Sequence, residues 1–248
     1  VISVRVEEDI ENVVKEMRHY DFLAIPVVDG DQRLVGIITF DDVFDVMTEE
    51  ATEDMYLLAN LDTDEKITSS LMRSVKLRVP WLLINLGTAL LAAFTVSRFS
   101  DTIASFVALA SLMPIVAGIG GNAGTQSLTV VVRALALGEI KVRGNWRVLL
   151  KQIGVGLFSG LICGVVMGGI AYVWHENVWL SVILWMAMTA NLIIAGLFGA
   201  LVPITLRKLK LDPALGSSIF VTMATDVGGF LTFLGLSTLL LHHLLGHP

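Results

Sequence analysis

Two rhythms of hydrophobic and polar positions divide the chain. Over residues 1–60 short apolar runs alternate with amphipathic stretches. Val1–Val6, Ala24–Val28 and Arg33–Ile38 read as strands, the last two joined by an Asp29-Gly30-Asp31 turn. Glu8–Tyr20 places Ile10, Val13, Val14 and Met17 at helical spacing, and Asp41 to Ala59 reads as a second helix with a break near Thr48–Thr52 left open. Beyond residue 80 the pattern becomes continuously apolar, in segments at Trp81–Val96, Ile103–Leu137, Val148–Trp174, Leu180–Leu206 and Ala214–Leu245. The first is short for a span. The others exceed the ~20 residues that cross about 30 Å of hydrocarbon, so they are expected to tilt or break. Residues 62–79 lie between the two patterns. Ile67, Leu71, Val75 and Leu77 form a broken apolar stripe beside Lys66, Arg73, Lys76 and Arg78. That stripe predicts an amphipathic connecting helix, lying on a membrane surface or linking the two halves. The expected fold is a multi-domain membrane protein. A small α/β unit (1–61) and a connecting helix (62–79) precede a five-helix all-α transmembrane domain (80–248).

Composition supports this division. The chain is 54% hydrophobic with a mean hydropathy of +0.75, too apolar for a soluble protein of 248 residues. Residues 1–65 hold 18 acidic and 4 basic residues, a net of −14; residues 66–248 hold 5 acidic and 13 basic, a net of +8. An acidic soluble piece therefore precedes a basic-flanked membrane piece. The loop cations give an orientation. Lys66, Arg73, Lys76 and Arg78, then Lys141, Arg143, Arg147 and Lys151, then Arg207, Lys208 and Lys210 fall on one side; the other receives only Arg98. The basic side is expected to be cytoplasmic, which places the N-terminal unit inside and the C-terminus outside a plasma (inner) membrane crossed several times. The opening Val1-Ile-Ser-Val-Arg5 reads as mid-protein rather than as a signal peptide. Cys163 has no second cysteine to pair with and is expected to fill a helix interface. No G-x-x-x-x-G-K-[ST] loop occurs, which excludes a P-loop ATPase; neither enzymatic activity nor a nucleic-acid partner is expected.

Candidate chemistry concentrates in two spans. The second carries Pro114, Gly118, Gly120, Gly121, Asn122, Gly124, Thr125 and Gln126 in its middle. Each glycine costs a helix about 0.8–1 kcal/mol and proline about 3. Hydrocarbon cannot satisfy loosened backbone. The stretch is therefore read either as close packing through small residues or as an ion-pathway lining built from backbone carbonyls. The fifth span holds Asp226, the one carboxylate well inside a predicted span, with Thr222 one helical turn earlier on the same face. An ionised carboxylate at that depth needs a partner, water or a cation. Gly156, Gly160, Gly164 and Gly168 recur every four residues in the third span and predict a flat packing ridge. Asn191 in the fourth is expected to hydrogen-bond to a neighbouring helix. His242, His243 and His247 form a terminal group for which a disordered tail is the simpler reading. In the soluble half, Asp42, Asp45, Glu49, Glu50, Glu53 and Asp54 crowd a few helical turns. They form either a solvated surface or a cation-sensing cluster, since hard divalent cations favour oxygen ligands.

The β-α-β-β-α order and the local pattern from Leu23 through Asp42, with Pro26-Val-Val-Asp29 and Leu34-Val-Gly36-Ile-Ile-Thr39, resemble a CBS domain. Such domains work in pairs, and in nucleotide-binding members an [ST]-x-x-D pattern, here Thr39 and Asp42, supplies a carboxylate to ribose. ATP is the cofactor that resemblance implies. The glycine-asparagine stretch, Pro80-Trp81, Asp212-Pro-Ala-Leu215 and Ala224-Thr-Asp226 resemble the MgtE family of magnesium channels over nearly the whole chain. The resemblance implies a homodimer in the lipid bilayer with a pore on its two-fold axis. It would conduct Mg2+ and close when cytosolic Mg2+ binds the acidic region at Asp42, Asp45, Glu50, Glu53 and Asp54. It also implies that Asp226 of both subunits holds hydrated Mg2+, with Thr222, Gly118, Gly121 and Thr125 contributing and Asn122 bracing a broken backbone. A divalent-cation exchanger, with Asp226 as the titrating group, is the alternative.

Overall fold

The structure, a computed structural model, describes residues 2–8, 10–140 and 146–245, and the side chains among them except at positions 11, 50, 51, 242 and 243. Lys141, Arg143 and His247, and the side chains of Glu50, His242 and His243, lie outside the described residues. The chain divides into two compact units, Val1–Tyr56 and Leu57–Pro248.

In the first unit, β1 (Val4–Arg5), α1 (Ile10–Tyr20), β2 (Ala24–Val28), β3 (Leu34–Thr39) and α2 (Phe40–Leu58) follow in order, the last two residues of α2 belonging to the second unit. The sheet runs β1-β2-β3, with β1 parallel and β3 antiparallel to β2. The apolar face read from α1 packs as expected, with Val13, Val14 and Met17 closing on Val4, Ile25 and Val43. Asp29 shapes the turn into β3, its Oδ1 accepting from the backbone N–H groups of Asp31 and Arg33, both at 2.9 Å. Helix α2 is unbroken. The hydroxyls of Thr48 and Thr52 donate to the carbonyls four residues back, so these threonines fold their polarity into the helix instead of ending it. Strand β3 leaves Leu34 (70% exposed), Val35 and Ile37 uncovered, an apolar edge of the kind that adjoining domains cover.

The second unit contains α3 (Leu71–Ser97), α4 (Ser100–Ser105), α5 (Ala108–Ala136), α6 (Trp146–His175), α7 (Val178–Lys208), α8 (Ser217–Leu239) and α9 (Leu241–Leu244). Five of these, α3 and α5 to α8, are long and apolar enough to cross a membrane. Residues 62–70 are turns. Leu71–Val79, expected within a separate connecting helix, are instead the opening turns of α3, which runs through Pro80 into the first span. Proline there deprives only the Lys76 carbonyl of its helical donor, a loss a neighbouring helix or water can repair. The second and fifth apolar segments divide near their ends, giving the short helices α4 and α9.

Helix α7 is the axis of this bundle, with Leu180, Ile183, Leu184, Ala187 and Met188 fully buried. The glycine ridge of α6 lies along it. A methyl at Gly160 would sit 2.6 Å from the Cα of Thr189, one at Gly164 would sit 2.8 Å from the Trp185 carbonyl, and one at Gly168 would sit 2.9 Å from the Ser181 carbonyl. The period of four in the sequence is thus the period at which two backbones touch. At its N-terminus Asn177 caps α7, its Oδ1 accepting from Leu180 N–H at 3.0 Å while its Nδ2 donates to the Leu244 carbonyl.

Candidate functional site

The glycine-rich stretch of α5 is helical throughout, which corrects the expectation of a broken backbone. Its glycines divide by face. Gly120 and Gly124 are buried because neighbours occupy the space a side chain would need: the Asn191 carboxamide at Gly120, and Val221 Cγ1, 2.5 Å from a methyl, at Gly124. Gly118, Gly121, Asn122 and Thr125 follow helical spacing along the other side, where they are exposed or half-buried. A methyl on Gly118 or Gly121 would meet nothing within 4 Å. Thr125 donates its hydroxyl to the Gly121 carbonyl at 3.0 Å, and Thr129 repeats the bond to Thr125 at 2.9 Å. Asn122 braces nothing: its exposed side chain makes no hydrogen bond among the described residues.

Asp226 is half-buried near the middle of α8, with Thr222, also half-buried, one turn before it. No hydrogen bond or ion pair reaches its carboxylate among the described residues, and Arg133, the one cation considered for it, stands exposed near the end of α5. A carboxylate in low dielectric without a counter-charge or donor costs several kcal/mol, so this position is suited to a cation. Helices α5 and α8 are in direct contact through Gly124, Val221 and Thr225. That contact uses the buried side of α5. The stripe of Gly118, Gly121, Asn122 and Thr125 therefore looks away from its own bundle.

The brace that the resemblance implied for Asn122 is supplied by Asn191 of α7, which makes the expected hydrogen bond to a neighbouring helix. Its side chain is 0% exposed, and Nδ2 donates to the Val116 carbonyl of α5 at 2.8 Å. Oδ1 is buried and accepts no hydrogen bond among the described residues. An unmet buried acceptor costs about 1–3 kcal/mol. The amide is enclosed by Gly120 of α5 and Gly229 of α8.

In the first unit Thr39 and Asp42 do meet. Asp42 Oδ2 accepts from the Thr39 hydroxyl at 2.6 Å and from its backbone N–H at 3.0 Å, closing the N-terminus of α2 as a capping box. The Thr39 hydroxyl first, then its N–H, holds the Asp42 carboxyl below the usual value of 3.8. Asp42, Asp45, Glu49 and Glu53 are all exposed and spaced along one side of α2, while Asp54 is half-buried. Among the described residues no group of three or more His, Cys, Asp or Glu side chains is disposed to hold a metal ion.

Two features of the second unit escaped the sequence. Glu65, one acid in an acidic run, is only 6% exposed. Its Oε1 accepts from Arg78 at 3.0 Å, and Oε2 is buried. The Ser74 hydroxyl, ahead of Arg78 and against the effect of burial, holds its carboxyl below the ordinary value of 4.5. The second feature is Leu57 and Leu58, the first residues of this unit. They pack with Leu128 and Val132 of α5, Ala214, and Val221 of α8, and Asn60 Oδ1 accepts from the Ser218 hydroxyl at 3.0 Å. Their apolarity was visible; which helix ends they meet was not.

Comparison with known proteins bears on this arrangement. Residues 113–236, half of the chain, match the family profile MgtE, described as a divalent cation transporter, and residues 1–49 match the CBS domain. The chain is 36% identical to the magnesium transporter MgtE of Bacillus subtilis (strain 168), over 98% of its own length and 54% of that protein's. With the protein of the same name from Thermus thermophilus it shares 39% identity over 97% of its length and 54% of the relative's. For that of Enterococcus faecalis the figures are 35%, 98% and 53%. The chain thus spans about half the length of the curated relatives it matches.

Proposed function

The chain belongs to the MgtE family of divalent cation transporters, and from that premise we propose that it conducts hydrated Mg2+ across the plasma membrane through a pore shared by two copies. The observation that carries this reading is Asp226, a carboxylate in the middle of an apolar helix with no partner among the described residues. Mg2+ gives up water reluctantly and is usually held by one or two carboxylates. Two Asp226 side chains on a two-fold axis meet that requirement, and Thr222 adds oxygen from the same face. The outward stripe of Gly118, Gly121, Asn122 and Thr125 faces open space in one chain, as a lining completed by a second copy would. Weak contacts through water let the ion leave again. The N-terminal unit lies on the cytoplasmic side and the C-terminus outside. No enzymatic step is part of this proposal.

Regulation follows the acidic side of α2. Asp42, Asp45, Glu49, Glu50, Glu53 and Asp54 repel one another unless cations are present. Among the described residues no three of these side chains are disposed to hold a metal ion, so Mg2+ there takes further ligands from a second copy or from the protein's other domains. Leu57, Leu58 and Asn60, packed on the ends of α5 and α8, carry the resulting movement to the pore. ATP binding at the first unit would use the remaining Asp42 oxygen and a second CBS unit over the exposed β3 edge.

An exchanger remains the second reading, because Asp226 is titratable. Liposomes loaded with a pH-sensitive dye separate the two. Mg2+ flux without coupled proton movement supports the channel. Proton movement in fixed ratio to Mg2+ replaces it with the exchanger. Running Mg2+, Mn2+, Co2+ and Ca2+ in turn measures selectivity.

A further inference from the structure

Asn191 is placed where an apolar side chain would fill the space without leaving a buried oxygen unmet. Its carboxamide lies between the two helices that carry the proposed lining. On one side is Gly120 of α5, next to Gly121; on the other is Gly229 of α8, three residues after Asp226. A methyl on Gly229 would sit 2.7 Å from Nδ2 and 2.9 Å from Cγ, and one on Gly120 would sit 2.8 Å from Cγ. Both glycines are therefore needed to admit this amide. Its bond to the Val116 carbonyl, 2.8 Å long, also holds α5 at a weak point. Pro114 donates no N–H, and Gly118, Gly120 and Gly121 give the helix little stiffness of their own.

We propose that Asn191 is a positioning residue that fixes the spacing and rotation of α5 against α8 at the level of Asp226, and through them the choice between small and large divalent cations. The inference rests on the reading of Asp226 as the ion site. The directional bond anchors the amide along α5, and the two glycines let α8 close on it. A leucine of similar volume keeps the packing but loses the anchor. The selectivity of the pathway then depends on a side chain that never touches the ion.

The test uses the intact protein in liposomes, with Mg2+ and Ca2+ as probes, comparing the apparent KM for Mg2+ and the Mg2+/Ca2+ rate ratio per folded protein. Asn191→Leu is expected to shift the rate ratio by about threefold or more, within the range seen for coupling between touching residues. Gly229→Ala, which crowds the amide, should shift it as well, and so should Asn191→Ala, which loses the hydrogen bond to Val116, whereas Gly235→Ala, where a methyl meets nothing within 4 Å, should leave it unchanged. A fall in yield and maximal rate in Asn191→Leu, with ratio and KM unchanged, overturns the proposal. So does a folded Gly229→Ala protein that keeps the parent ratio, which holds even if Asn191→Leu does not fold. Asp226→Ala runs alongside. If it still conducts, the ion-site reading fails and this inference with it; if it is silent while the Asn191 variants keep the parent ratio, only the positioning role fails.

Discussion

Replacing Gly160 with alanine probes the packing that holds the membrane unit together. The added methyl would lie 2.6 Å from the Thr189 Cα, 3.1 Å from its carbonyl oxygen and 3.3 Å from its carbonyl carbon. All three atoms are backbone and cannot rotate aside, so α6 must retreat from α7 by about 1 Å to restore ordinary contact, enough to forfeit a quarter to a half of each lost contact's attraction. Gly156, Gly164 and Gly168 touch α7 along the same ridge and lose contact with it. Overpacking of this kind costs about 1–3 kcal/mol, and each kcal/mol lowers Tm by roughly 2–4 °C in a unit of this size. Gly160→Ala should therefore unfold about 2–12 °C earlier in detergent, followed by tryptophan fluorescence or circular dichroism. Gly154→Ala is the control on the same helix. A methyl there meets nothing within 4 Å, so the higher helix propensity of alanine should leave stability equal or slightly raised. If both variants melt together, at the parent temperature or below it, the argument from close backbone approach is wrong.

Other outcomes follow from the same contacts. Gly121→Val, beside open space, should block Mg2+ flux while leaving the melting temperature of the folded protein nearly unchanged; loss of folding instead would show that this side of α5 is packed. Removing the Thr39 hydroxyl in Thr39→Val should raise the Asp42 pKa toward 3.8, read by NMR titration. Because the folded pKa of Asp42 is depressed, its contribution to stability is present above the ordinary value and disappears as pH falls through the folded one. Glu65 has the same sign: acidification below 4.5 should loosen its hold on Ser74 and Arg78, and Glu65→Gln should remove that part of the pH dependence of unfolding. Leu57→Asp should place a charge against Leu128 and Val132 and change flux at a fixed Mg2+ concentration, whereas Met55→Asp, two residues earlier and exposed, should leave it unaltered.

Much of this architecture was legible because its signals are local. The apolar run Ala24–Val28, the spacing of Val13, Val14 and Met17, and the four-residue glycine repeat of α6 are such signals, and each forms the strand or packed face read from it. Thr39 and Asp42 were paired through the [ST]-x-x-D pattern of the CBS resemblance, and the three-residue spacing lets them meet at the start of α2. Long-range partners were harder. Nothing near Glu65 announces Arg78 thirteen residues away, and nothing near Asn60 announces Ser218. The glycine-rich stretch of α5 was misjudged for a different reason. Propensity counted each glycine as a weakness, but Gly120 and Gly124 admit neighbours that hold the helix in shape, so tertiary contact overrides the local cost. Asn191 makes the hydrogen bond to a neighbouring helix that was expected of it, and the fold adds that its acceptor is Val116 of α5.

The central claim is that Asp226 holds the passing ion. Mg2+ influx into liposomes carrying equal amounts of folded parent, Asp226→Ala and Asp226→Asn protein tests it most directly. Both variants should lose nearly all influx, because alanine removes the ligand and asparagine keeps the shape without the charge. Influx at the parent rate in a well-folded Asp226→Asn protein would contradict the account.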